Sequence, residues 1–327
     1  MSHSGSRADG PLHMVTPTIR SFPISAHAGY DVFLKLDNLQ IPGSFKIRGI
    51  GNLMKKASQQ GCKKVVCASG GNAGLAAAYG AKMMGLPATI VLPQSTPAFV
   101  ADKLRNEFGA EVEIVGKVWD ESNAYAINLA KQPDILYVHP FDHPDIWEGH
   151  STLIEEAAKQ LPCKPDVVIV SVGGGGLLNG LFMGMQKVGW GSVPCVAMET
   201  RGADSFNAAV KNGKLVTLPD ITSVAKCLGA LTVSAKSLEL AQQYQNIHSV
   251  VINDAKAVDA CLKFADDHRY LVEPACGASL AAVYGDVIKG LQKEGKLGEV
   301  KTALVVVCGG SSVTLKQLET WRDMFHL

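Results

Sequence analysis

The chain has 327 residues, 47% of them hydrophobic, and its 31 basic and 30 acidic residues leave a net charge of +1. This length predicts about two domains with ample material for buried cores. A near-neutral chain without a basic stripe argues against nucleic acid and anionic membranes as partners. No apolar stretch approaches the ~20 residues of a membrane span. A small-molecule enzyme fits this balance.

Eight cysteines are spread along the chain without a Cys-x-x-Cys pair, and several lie in apolar runs such as VVCAS. This usage predicts buried, reduced thiols and a reducing, cytoplasmic compartment. The N-terminal stretch MSHSGSRADGPLH is polar and lacks the apolar core of a signal peptide. We therefore expect a flexible arm there rather than an export signal.

In chain order, apolar strands alternate with helices and glycine-rich turns. The predicted strands are VFLKLDN, KKVVCAS, PATIVLP, EVEIVG, DVVIVSV, VPCVAME and TALVVVC. Helices are predicted in LAAAYGAKMMG, in STPAFVADKLRNEFG (capped by Ser95 or Thr96, with Pro97 in its first turn), in WDESNAYAINLAKQ, in LLNGLFMGMQKVG and from about Thr314. Continuous Val, Ile and Ala runs between helices predict α/β architecture with parallel sheets covered on both faces. Ligands of such sheets bind beyond the carboxyl ends of the strands, where the glycine turns lie.

Gly173, Gly174, Gly175 and Gly176 follow a buried strand and precede a helix. Four glycines place bare backbone N–H groups at the positive end of a helix, which is an anion site best suited to a phosphate. The alternative is a tight turn that requires close backbone approach, for which one or two glycines would suffice. We therefore favour a phosphate site.

No common nucleotide motif accounts for this phosphate. The P-loop pattern G-x-x-x-x-G-K-[ST] is absent, and G-x-G-x-x-G fails because Leu178 or Asn179 occupies its last position. Glu199, at a later strand end, is only a weak match to the ribose-binding acid of dinucleotide folds. No histidine cluster has the spacing of a metal site, and no G-x-S-x-G elbow points to a serine hydrolase.

Two further turns carry polar groups at strand ends. In SGGNAG, residues 69–74, Ser69 and Asn72 offer hydrogen-bonding groups, and the amides at the start of the next helix suit a carboxylate. Taken alone, an ordinary capped turn is the better explanation of this segment. In CGGSS, Cys308 places a soft donor or acceptor at a strand end.

The segment PGSFKIRG, residues 42–49, and the three glycine turns together support one hypothesis. Ser44 or Gly43 can begin a helix, which leaves Lys46 in its first turn and aimed back at the strand ends. Pyridoxal phosphate has a phosphate, an aldehyde that forms a Schiff base with lysine, and amino-acid substrates that carry a carboxylate. Phe45 can pack on the cofactor ring. The three turns and this lysine therefore predict a pyridoxal-phosphate enzyme for a small amino acid.

PGSFKIRG, SGGNAG, SVGGGGLLNG and VCGGSS resemble the motifs of fold type II pyridoxal-phosphate enzymes, in particular the eukaryotic L-serine dehydratase/L-threonine deaminase group with its serine dehydratase-like members. IWEGH, AMETRGA, ITSVAK and LVEPACGA extend the resemblance over residues 12–320. It implies two open parallel-sheet α/β domains with the cofactor in the cleft between them. The large domain would comprise residues 1–39 and 140–327, and the small domain, residues 40–139, would carry the lysine and the substrate turn.

The resemblance also assigns roles to single residues. Lys46 would form the Schiff base and, with Ser69, be catalytic. The other cofactor contacts would be Phe45 and Cys227 on the two ring faces, Asn72 at the ring hydroxyl, Cys308 at the pyridine nitrogen, and Gly173, Gly174, Gly175 and Gly176 at the phosphate. The substrate would be bound by Ser69, Gly70, Gly71, Asn72 and Ala73.

Relatives also bind a monovalent cation, here K⁺, near the tetraglycine turn. The matching positions are the side chains of Glu199 and Ser205 and the backbone carbonyls of Gly173, Ala203, Leu228 and Ala230. The resemblance further implies a homodimer with a role in amino-acid metabolism and gluconeogenesis.

The implied reaction is the deamination of L-serine to pyruvate and ammonia by α,β-elimination, and of L-threonine to 2-oxobutyrate and ammonia. Lys46, displaced by the substrate amine, would remove the α-proton. An uncharged thiol at Cys308 would not hold a proton on the pyridine nitrogen as a carboxylate would. This favours prompt loss of the β-group.

Two alternatives remain. A serine racemase needs an acid–base group opposite the lysine, and family racemases have a serine where this chain has Gly70, so racemisation is disfavoured. Dehydratases often have alanine there. We expect the glycine to leave a methyl-sized gap that loosens substrate placement and lowers activity. The second alternative is a weakly active or non-catalytic amino-acid-binding relative, against which intact Lys46, Ser69 and Asn72 argue.

Overall fold

The computed structural model describes residues 10–96, 98–311 and 313–327. Within these residues the chain forms two compact units. The smaller unit comprises residues 10–14 and Lys46–Pro140, and the larger unit comprises Val15–Phe45 and Phe141–Leu327. None of the helices in the described ranges combines the length and apolar character that a membrane crossing requires.

Helices and strands alternate in both units. In chain order they are β1 (Thr18–Arg20), α1 (Phe22–Ala28), β2 (Asp31–Leu36), α2 (Lys46–Gln59), β3 (Lys64–Cys67), α3 (Asn72–Met84), β4 (Ala88–Leu92), α4 (Ala98–Phe108), β5 (Glu111–Ile114), α5 (Trp119–Leu129), β6 (Ile135–Tyr137), α6 (Pro144–Gln160), β7 (Val167–Ser171), α7 (Gly176–Lys187), β8 (Cys195–Thr200), α8 (Ser205–Asn212), α9 (Ala235–Gln243), β9 (Ile247–Ile252), α10 (Asp254–His268), α11 (Pro274–Tyr284), α12 (Val287–Lys293), β10 (Thr302–Val307) and α13 (Leu315–Phe325). Short 3₁₀ helices cover Asp37–Leu39 and Lys226–Leu228.

The smaller unit is built on a four-stranded parallel sheet of order β5-β4-β3-β6. The central strands β3 and β4 are almost entirely buried. This burial matches their Val and Ile content, because strands covered on both faces need apolar side chains on both. The predicted parallel architecture is confirmed here. Pro97, the predicted first-turn residue of α4, lies outside the described residues.

The larger unit is built on a six-stranded sheet of order β1-β2-β10-β7-β8-β9. Five strands are parallel, and only the edge strand β1 pairs antiparallel, with β2. The sequence analysis did not find β1. The chain can turn back from β1 to pair with β2 because the intervening helix α1 is short and ends at Gly29, whose φ of +83° reverses the chain direction. The start of α13 was predicted correctly: the Thr314 side chain caps it by accepting from the N–H of Gln317 at 3.2 Å.

The segment between the two units differs from its prediction. Helix α2 begins at Lys46 rather than at Gly43 or Ser44. Gly43 has a φ of +83°, Ser44 pairs with Gly309, and the N–H of Phe45 donates to the carbonyl of Cys308 at 3.1 Å. These bonds tie residues 40–45 to the larger unit, so the observed boundaries fall at 45/46 and 140/141 instead of 39/40 and 139/140.

The expected flexible arm is partly ordered. Lys55 donates a hydrogen bond from Nζ to the carbonyl of Gly10 at 2.6 Å. A Cβ at Gly51 would lie 3.1 Å from the Cβ of Leu12, so the chain packs on α2 at this point. The prediction of flexibility was therefore wrong from Gly10 onward, and the first nine residues lie outside the described ones.

Candidate active site

Each unit carries its own set of the predicted site residues. In the smaller unit, Lys46 lies at the carboxyl end of the sheet, where its Nζ donates to the carbonyl of Pro140 at 2.5 Å. Cys67, the last residue of β3, is close to it. Burial raises the pKa of the Cys67 thiol to about 12, and the positive charge of Lys46 partly opposes this rise. The lysine side chain is half-buried, so the structure places the predicted nucleophilic amine at a strand end.

The Ser69–Gly74 turn joins β3 to α3. The N–H of Gly71 donates to Ser69 Oγ at 3.2 Å, and the N–H of Leu75 donates to the Gly71 carbonyl at 3.1 Å. Gly71 is the N-cap residue of α3, and no side chain caps the helix. The first-turn N–H groups, including those of Asn72 and Ala73, therefore have no acceptor within the helix. They form a group of donors suited to a carboxylate.

The geometry of this turn depends on Gly74, which the sequence analysis did not single out. A Cβ at Gly74 would lie 1.8 Å from the carbonyl oxygen of Ser69. No side chain can occupy that space, so the glycine lets the backbone of Ser69 pass directly over the first turn of α3. The glycine in NAG was the available signal, but spacing alone did not show which backbone it approaches.

The predicted gap at Gly70 is not present. A Cβ there would lie 3.1 Å from Thr96 Cγ2, 3.2 Å from Leu92 Cδ2 and 3.4 Å from Val100 Cγ1. A side chain added at residue 70 would therefore point at three methyl groups and contact them closely. The expectation of a loosening methyl-sized space was wrong, because residues distant in sequence fill it.

In the larger unit, all four residues of the tetraglycine turn require glycine for packing reasons. A Cβ would lie 2.9 Å from Leu228 Cα at Gly173, 2.4 Å from the Phe141 ring at Gly174 and 2.4 Å from the Phe141 carbonyl at Gly176. Gly175 has a φ of +89°, and its Cβ would lie 2.0 Å from a serine hydroxyl. The premise that one or two glycines would suffice for close approach was wrong. Four glycines are therefore not, by number alone, evidence for a phosphate.

The anion site rests instead on the helix that follows. Gly175 is the N-cap of α7, and no side chain caps this helix. The N–H groups of its first turn thus lack acceptors within the helix and lie at its positive end. This half of the prediction, an uncapped helix end after a buried strand, matches the structure.

A polar network that the sequence analysis missed supports the turn. The N–H of Ser234 donates to the Gly174 carbonyl at 3.0 Å, and Ser234 Oγ donates to Asp142 at 2.6 Å. Asn179 donates to Ser234 Oγ at 3.2 Å and accepts from Ser237 Oγ at 2.7 Å. An asparagine in the otherwise apolar stretch LLNGLF was the signal that could have revealed it.

Cys308 follows β10 and lies in a cluster of polarisable groups. Its backbone carbonyl accepts from the N–H of Phe45, whose ring lies 4.9 Å from the ring of His150. A hydrogen bond with the Cys276 thiol, together with burial, raises the pKa of Cys308 well above its usual 9.0. The thiol is therefore neutral, as the sequence analysis assumed.

Cys227 lies in the short helix Lys226–Leu228 and is exposed. Its carbonyl oxygen would be 3.2 Å from a Cβ at Gly173, and Cys227 is among the neighbours that raise the pKa of the Cys308 thiol. The larger unit therefore brings the predicted residues Phe45, Gly173, Cys227 and Cys308 into one region.

The residues of the predicted cation site form two groups, one at the end of β8 with Glu199, Ala203 and Ser205, and one with Gly173, Leu228 and Ala230. Glu199 is fully buried and accepts from the N–H groups of Phe206 and Asn207 at 2.9 and 2.8 Å. Burial raises the pKa of Glu199 to about 8. The buried Ser205 Oγ has no hydrogen-bond partner among the described residues, and the Leu228 carbonyl would lie 3.2 Å from a Cβ at Gly173.

The remaining predicted cation ligands are the carbonyls of Ala203 and Ala230. Ala203 pairs with Thr200 at the end of β8, and the N–H of Ala230 donates to the Leu228 carbonyl at 2.8 Å. A buried carboxyl, an unpaired hydroxyl and nearby carbonyls are oxygen donors that a hard cation prefers. Within the described ranges, no cluster of three or more His, Cys, Asp or Glu side chains could hold a metal ion.

Residues 11–309 match the model of the family described as pyridoxal-phosphate dependent enzyme. The chain belongs to this family. It is 53% identical over 317 residues to "Serine dehydratase-like" of Rattus norvegicus, covering 97% of this chain and 96% of the relative. It is 54% identical over 322 residues to "L-serine dehydratase/L-threonine deaminase" of Mus musculus, covering 98% of each. Among solved structures, an L-serine ammonia-lyase from Rhizomucor miehei superposes with a TM-score of 0.89 at 36% identity, covering 96% of this chain and 99% of that one.

The residues of this family member fit pyridoxal phosphate. Lys46 provides a primary amine at a strand end, and α3 and α7 each begin without a side-chain cap. At Gly173–Gly176 any Cβ would clash, so the backbone stays bare in front of α7. Cys308 adds a neutral thiol, which can pair with a ring nitrogen. In the smaller unit, the amine and the start of α3 match the aldehyde and a substrate carboxylate, and in the larger unit, the start of α7 and the thiol match the phosphate and the ring nitrogen.

Proposed function

We propose that the protein is an ammonia-lyase that converts L-serine to pyruvate and ammonia, and L-threonine to 2-oxobutyrate and ammonia. The observation that carries this proposal is the similarity, over nearly the whole chain, to relatives named for these reactions. It is supported by the intact lysine, substrate turn and neutral thiol. The similarity to a fungal L-serine ammonia-lyase structure adds to it.

Each set of residues has a role in this proposal. Lys46 would hold pyridoxal phosphate through its amine, and Phe45 and Cys227 would pack against its ring. Asn72 would bond the ring hydroxyl, Cys308 would bond the ring nitrogen, and the start of α7 with Gly173–Gly176 would bind the phosphate. When bound, pyridoxal phosphate supplies an electron sink for the electrons released at the α-carbon of an amino acid.

The substrate turn and the lysine then share the proton chemistry. The first-turn amides of α3, with Ser69, Gly70, Gly71, Asn72 and Ala73, orient the substrate carboxylate and thereby the α-hydrogen. The Nζ of Lys46, in its neutral form, would take the α-proton as a general base. A neutral Cys308 thiol would leave the ring nitrogen without a fixed positive charge, which would favour loss of the β-hydroxyl over return of the proton.

Serine racemisation is the second candidate. A racemase needs a proton donor on the face opposite the lysine, and Gly70, the position proposed for it by resemblance, offers no hydroxyl. The proposal therefore remains elimination. It also includes a K⁺ ion bound by Glu199, Ser205 and the carbonyls of Gly173, Ala203, Leu228 and Ala230, a homodimer, and a cytoplasmic role in amino-acid metabolism and gluconeogenesis. The eight free cysteines support a reducing compartment.

A coupled assay tests the reaction. Protein loaded with pyridoxal phosphate is given L-serine, pyruvate is measured with lactate dehydrogenase, and D-serine is measured by chiral chromatography. We expect pyruvate from the unmodified protein and a loss of more than about 10³-fold in Lys46→Ala. Lys55→Ala, on the same helix, is the matched control and should stay active. D-serine formed faster than pyruvate would favour the racemase, and neither product from cofactor-loaded protein would favour a binding protein.

A further inference from the structure

Trp119, the first residue of α5, is a tryptophan that the proposed chemistry does not use. The residue is 42% exposed, and its indole Nε1–H donates to the backbone carbonyl of Ala68 at 2.6 Å. Ala68 is buried and immediately precedes Ser69, the first residue of the proposed substrate turn. All three residues belong to the smaller unit. A side chain from a helix distant in sequence therefore holds the backbone where the chain enters this turn.

The hydrogen-bonding pattern of the sheet explains why this carbonyl takes a side-chain donor. Strands β3 and β6 are parallel, and just beyond β6 the N–H of Val138 donates to the carbonyl of Val66 at 2.8 Å. Donors on a parallel strand follow one another at every second residue, so the next N–H would come from residue 140, and its acceptor would be the Ala68 carbonyl. Residue 140 is a proline, which has no N–H. The indole of Trp119 supplies the donor that the sheet lacks.

The start of α5 is itself fixed, so the indole N–H has a defined position. A Cβ at Gly116 would lie 2.4 Å from Glu121 Cβ, and the Glu121 carboxylate accepts from the N–H of Lys117 at 2.6 Å. Ser122 Oγ donates to the carbonyl of Val115 at 2.7 Å. These contacts hold the first turn of α5 against the loop that follows β5.

We propose that Trp119 is a positioning residue that holds the Ser69–Gly74 turn in the orientation that binds the substrate carboxylate. The Ala68 carbonyl and the Ser69 N–H belong to one planar peptide group. A bond that fixes this carbonyl therefore fixes the direction in which the chain enters the turn. At the other end, Gly74 lets the Ser69 backbone pass directly over α3. With both ends held, the amides of the turn are in place before the substrate arrives.

This inference rests on the proposed function and deepens it, since it concerns the turn to which that function assigns the carboxylate. Trp119 need not touch the substrate. Without the indole N–H, the buried Ala68 carbonyl loses its hydrogen bond, and the peptide group can regain one only by rotating toward water or another donor. Such a rotation weakens the binding of a carboxylate more than the binding of the rest of the amino acid.

The test uses Trp119→Phe, which keeps an aromatic ring and removes the N–H. This variant and the unmodified protein are loaded with pyridoxal phosphate, and the dissociation constants of L-alanine and L-alaninamide are measured by absorbance titration. L-alanine has the carboxylate but no β-hydroxyl to lose, and in L-alaninamide a neutral amide replaces the carboxylate. We expect the variant to bind L-alanine about tenfold more weakly, the scale of one unsatisfied buried carbonyl, and L-alaninamide less than about twofold more weakly. An equal loss for both ligands, or no loss for either, would overturn the proposal.

Tyr137→Phe is the matched control. The Tyr137 hydroxyl donates to Asn123 of α5 at 2.5 Å. This variant therefore also removes one hydrogen bond between α5 and the sheet and also leaves a phenylalanine, but it does not remove the donor to Ala68. It should lower Tm without changing the ratio of the two dissociation constants. A change in that ratio as large as in Trp119→Phe would show that any loosening of α5 acts on the turn, which would overturn a specific role of the indole.

A measurement on the unmodified protein keeps the proposal testable if Trp119→Phe does not fold. With ¹⁵N in the four tryptophans, the Nε1–H signal of Trp119 should shift when L-alanine is added and not when L-alaninamide is added. The absence of a shift at saturating L-alanine would contradict the proposal. Pyruvate formation from L-serine is measured on the same samples. Its absence in the unmodified protein would refute the proposed reaction and leave the L-alanine result interpretable.

Discussion

Substitution of Gly74 by alanine should abolish activity through the geometry of one turn. The added Cβ would be 1.8 Å from the Ser69 carbonyl oxygen, whereas such contacts do not occur below 3.0 Å. The two backbone segments must therefore separate by about 1.2 Å, the difference between these distances. This displacement moves the first-turn amides of α3, which we propose orient the substrate carboxylate.

The expected magnitude follows from that displacement. A misplacement of about 1 Å costs on the order of 10²-fold in rate when it affects reacting groups. Overpacking also costs about 1–3 kcal/mol of stability. We therefore expect kcat/KM for L-serine to fall at least about 10²-fold, with a lower Tm. Cofactor binding through the larger unit should be largely retained.

Two glycines of the same segment serve as controls. The nearest atom to a Cβ at Gly71 is Ser69 Oγ at 3.9 Å, and the φ of Gly71 is −94°, so alanine fits there. A Cβ at Gly80, further along α3, meets only the flexible end of Met54, at 3.0 Å, and the Leu12 side chain at 3.6 Å. Both alanine variants should keep most of the activity. If Gly74→Ala matched them in kcat/KM while its cofactor stayed bound, the turn would not position the substrate.

Three further predictions concern the larger unit. Cys308→Asp places a second buried carboxyl near Glu273, so each carboxyl raises the pKa of the other. The Tm of this variant should fall as the pH rises, and adding Glu273→Gln should restore part of the lost Tm, whereas a pH-independent Tm would contradict a contact between residues 273 and 308. Burial raises the pKa of Glu199 from 4.5 to about 8, so the folded state holds a proton that the unfolded chain releases, and stability should decrease as pH rises through this window. A K⁺ ion at this carboxylate offsets that loss, so K⁺ should raise Tm more at about pH 9 than at about pH 6 and more than Na⁺ does; equal increments would argue against the site. Ser234→Ala removes the hydrogen bond from Asn179, which should lower the free energy of unfolding by about 1–3 kcal/mol. The affinity for pyridoxal phosphate, measured by titration, should also fall, and an unchanged affinity would show that this polar network does not support the phosphate turn.

Most of the fold could be predicted because buried parallel strands have a simple sequence pattern. Runs such as VVIVS and ALVVV are apolar at every position, and this is possible only where both faces of a sheet are covered. The edge strands were harder. β1 has three residues and β9 is only partly buried, so neither shows a continuous apolar run. The strand with which each of them pairs is the one at the edge of the rest of the sheet, and the sequence does not show which strand that is before the sheet is assembled.

The same distinction between local and distant interactions decides which features of the site could be predicted. An uncapped helix start after a buried strand can be seen in the sequence, because capping residues and glycines lie within a few positions of each other. The groups from distant parts of the chain that contact those glycines cannot be seen in the sequence. Phe141 lies against Gly174, and Glu273 against Gly310, across more than thirty residues of chain in each case. The sequence therefore indicated where the turns are and not why each glycine is required.

Gly70 shows how this difference reverses a prediction. From the sequence alone, Gly70→Ala would fill a gap and improve serine turnover. The structure has Thr96, Leu92 and Val100 methyl groups at 3.1–3.4 Å from the added Cβ, so they must move by a few tenths of an ångström. The entropic gain of about 0.4–1 kcal/mol from replacing glycine is smaller than the ~1–3 kcal/mol of overpacking. We therefore expect a lower Tm and no improvement in KM for L-serine. Leu92→Val removes one of the contacting methyls, so the double variant should recover Tm relative to Gly70→Ala after correction for Leu92→Val alone. A rise in both Tm and kcat/KM in the single variant would show that the three methyl groups yield freely and that the gap exists in solution.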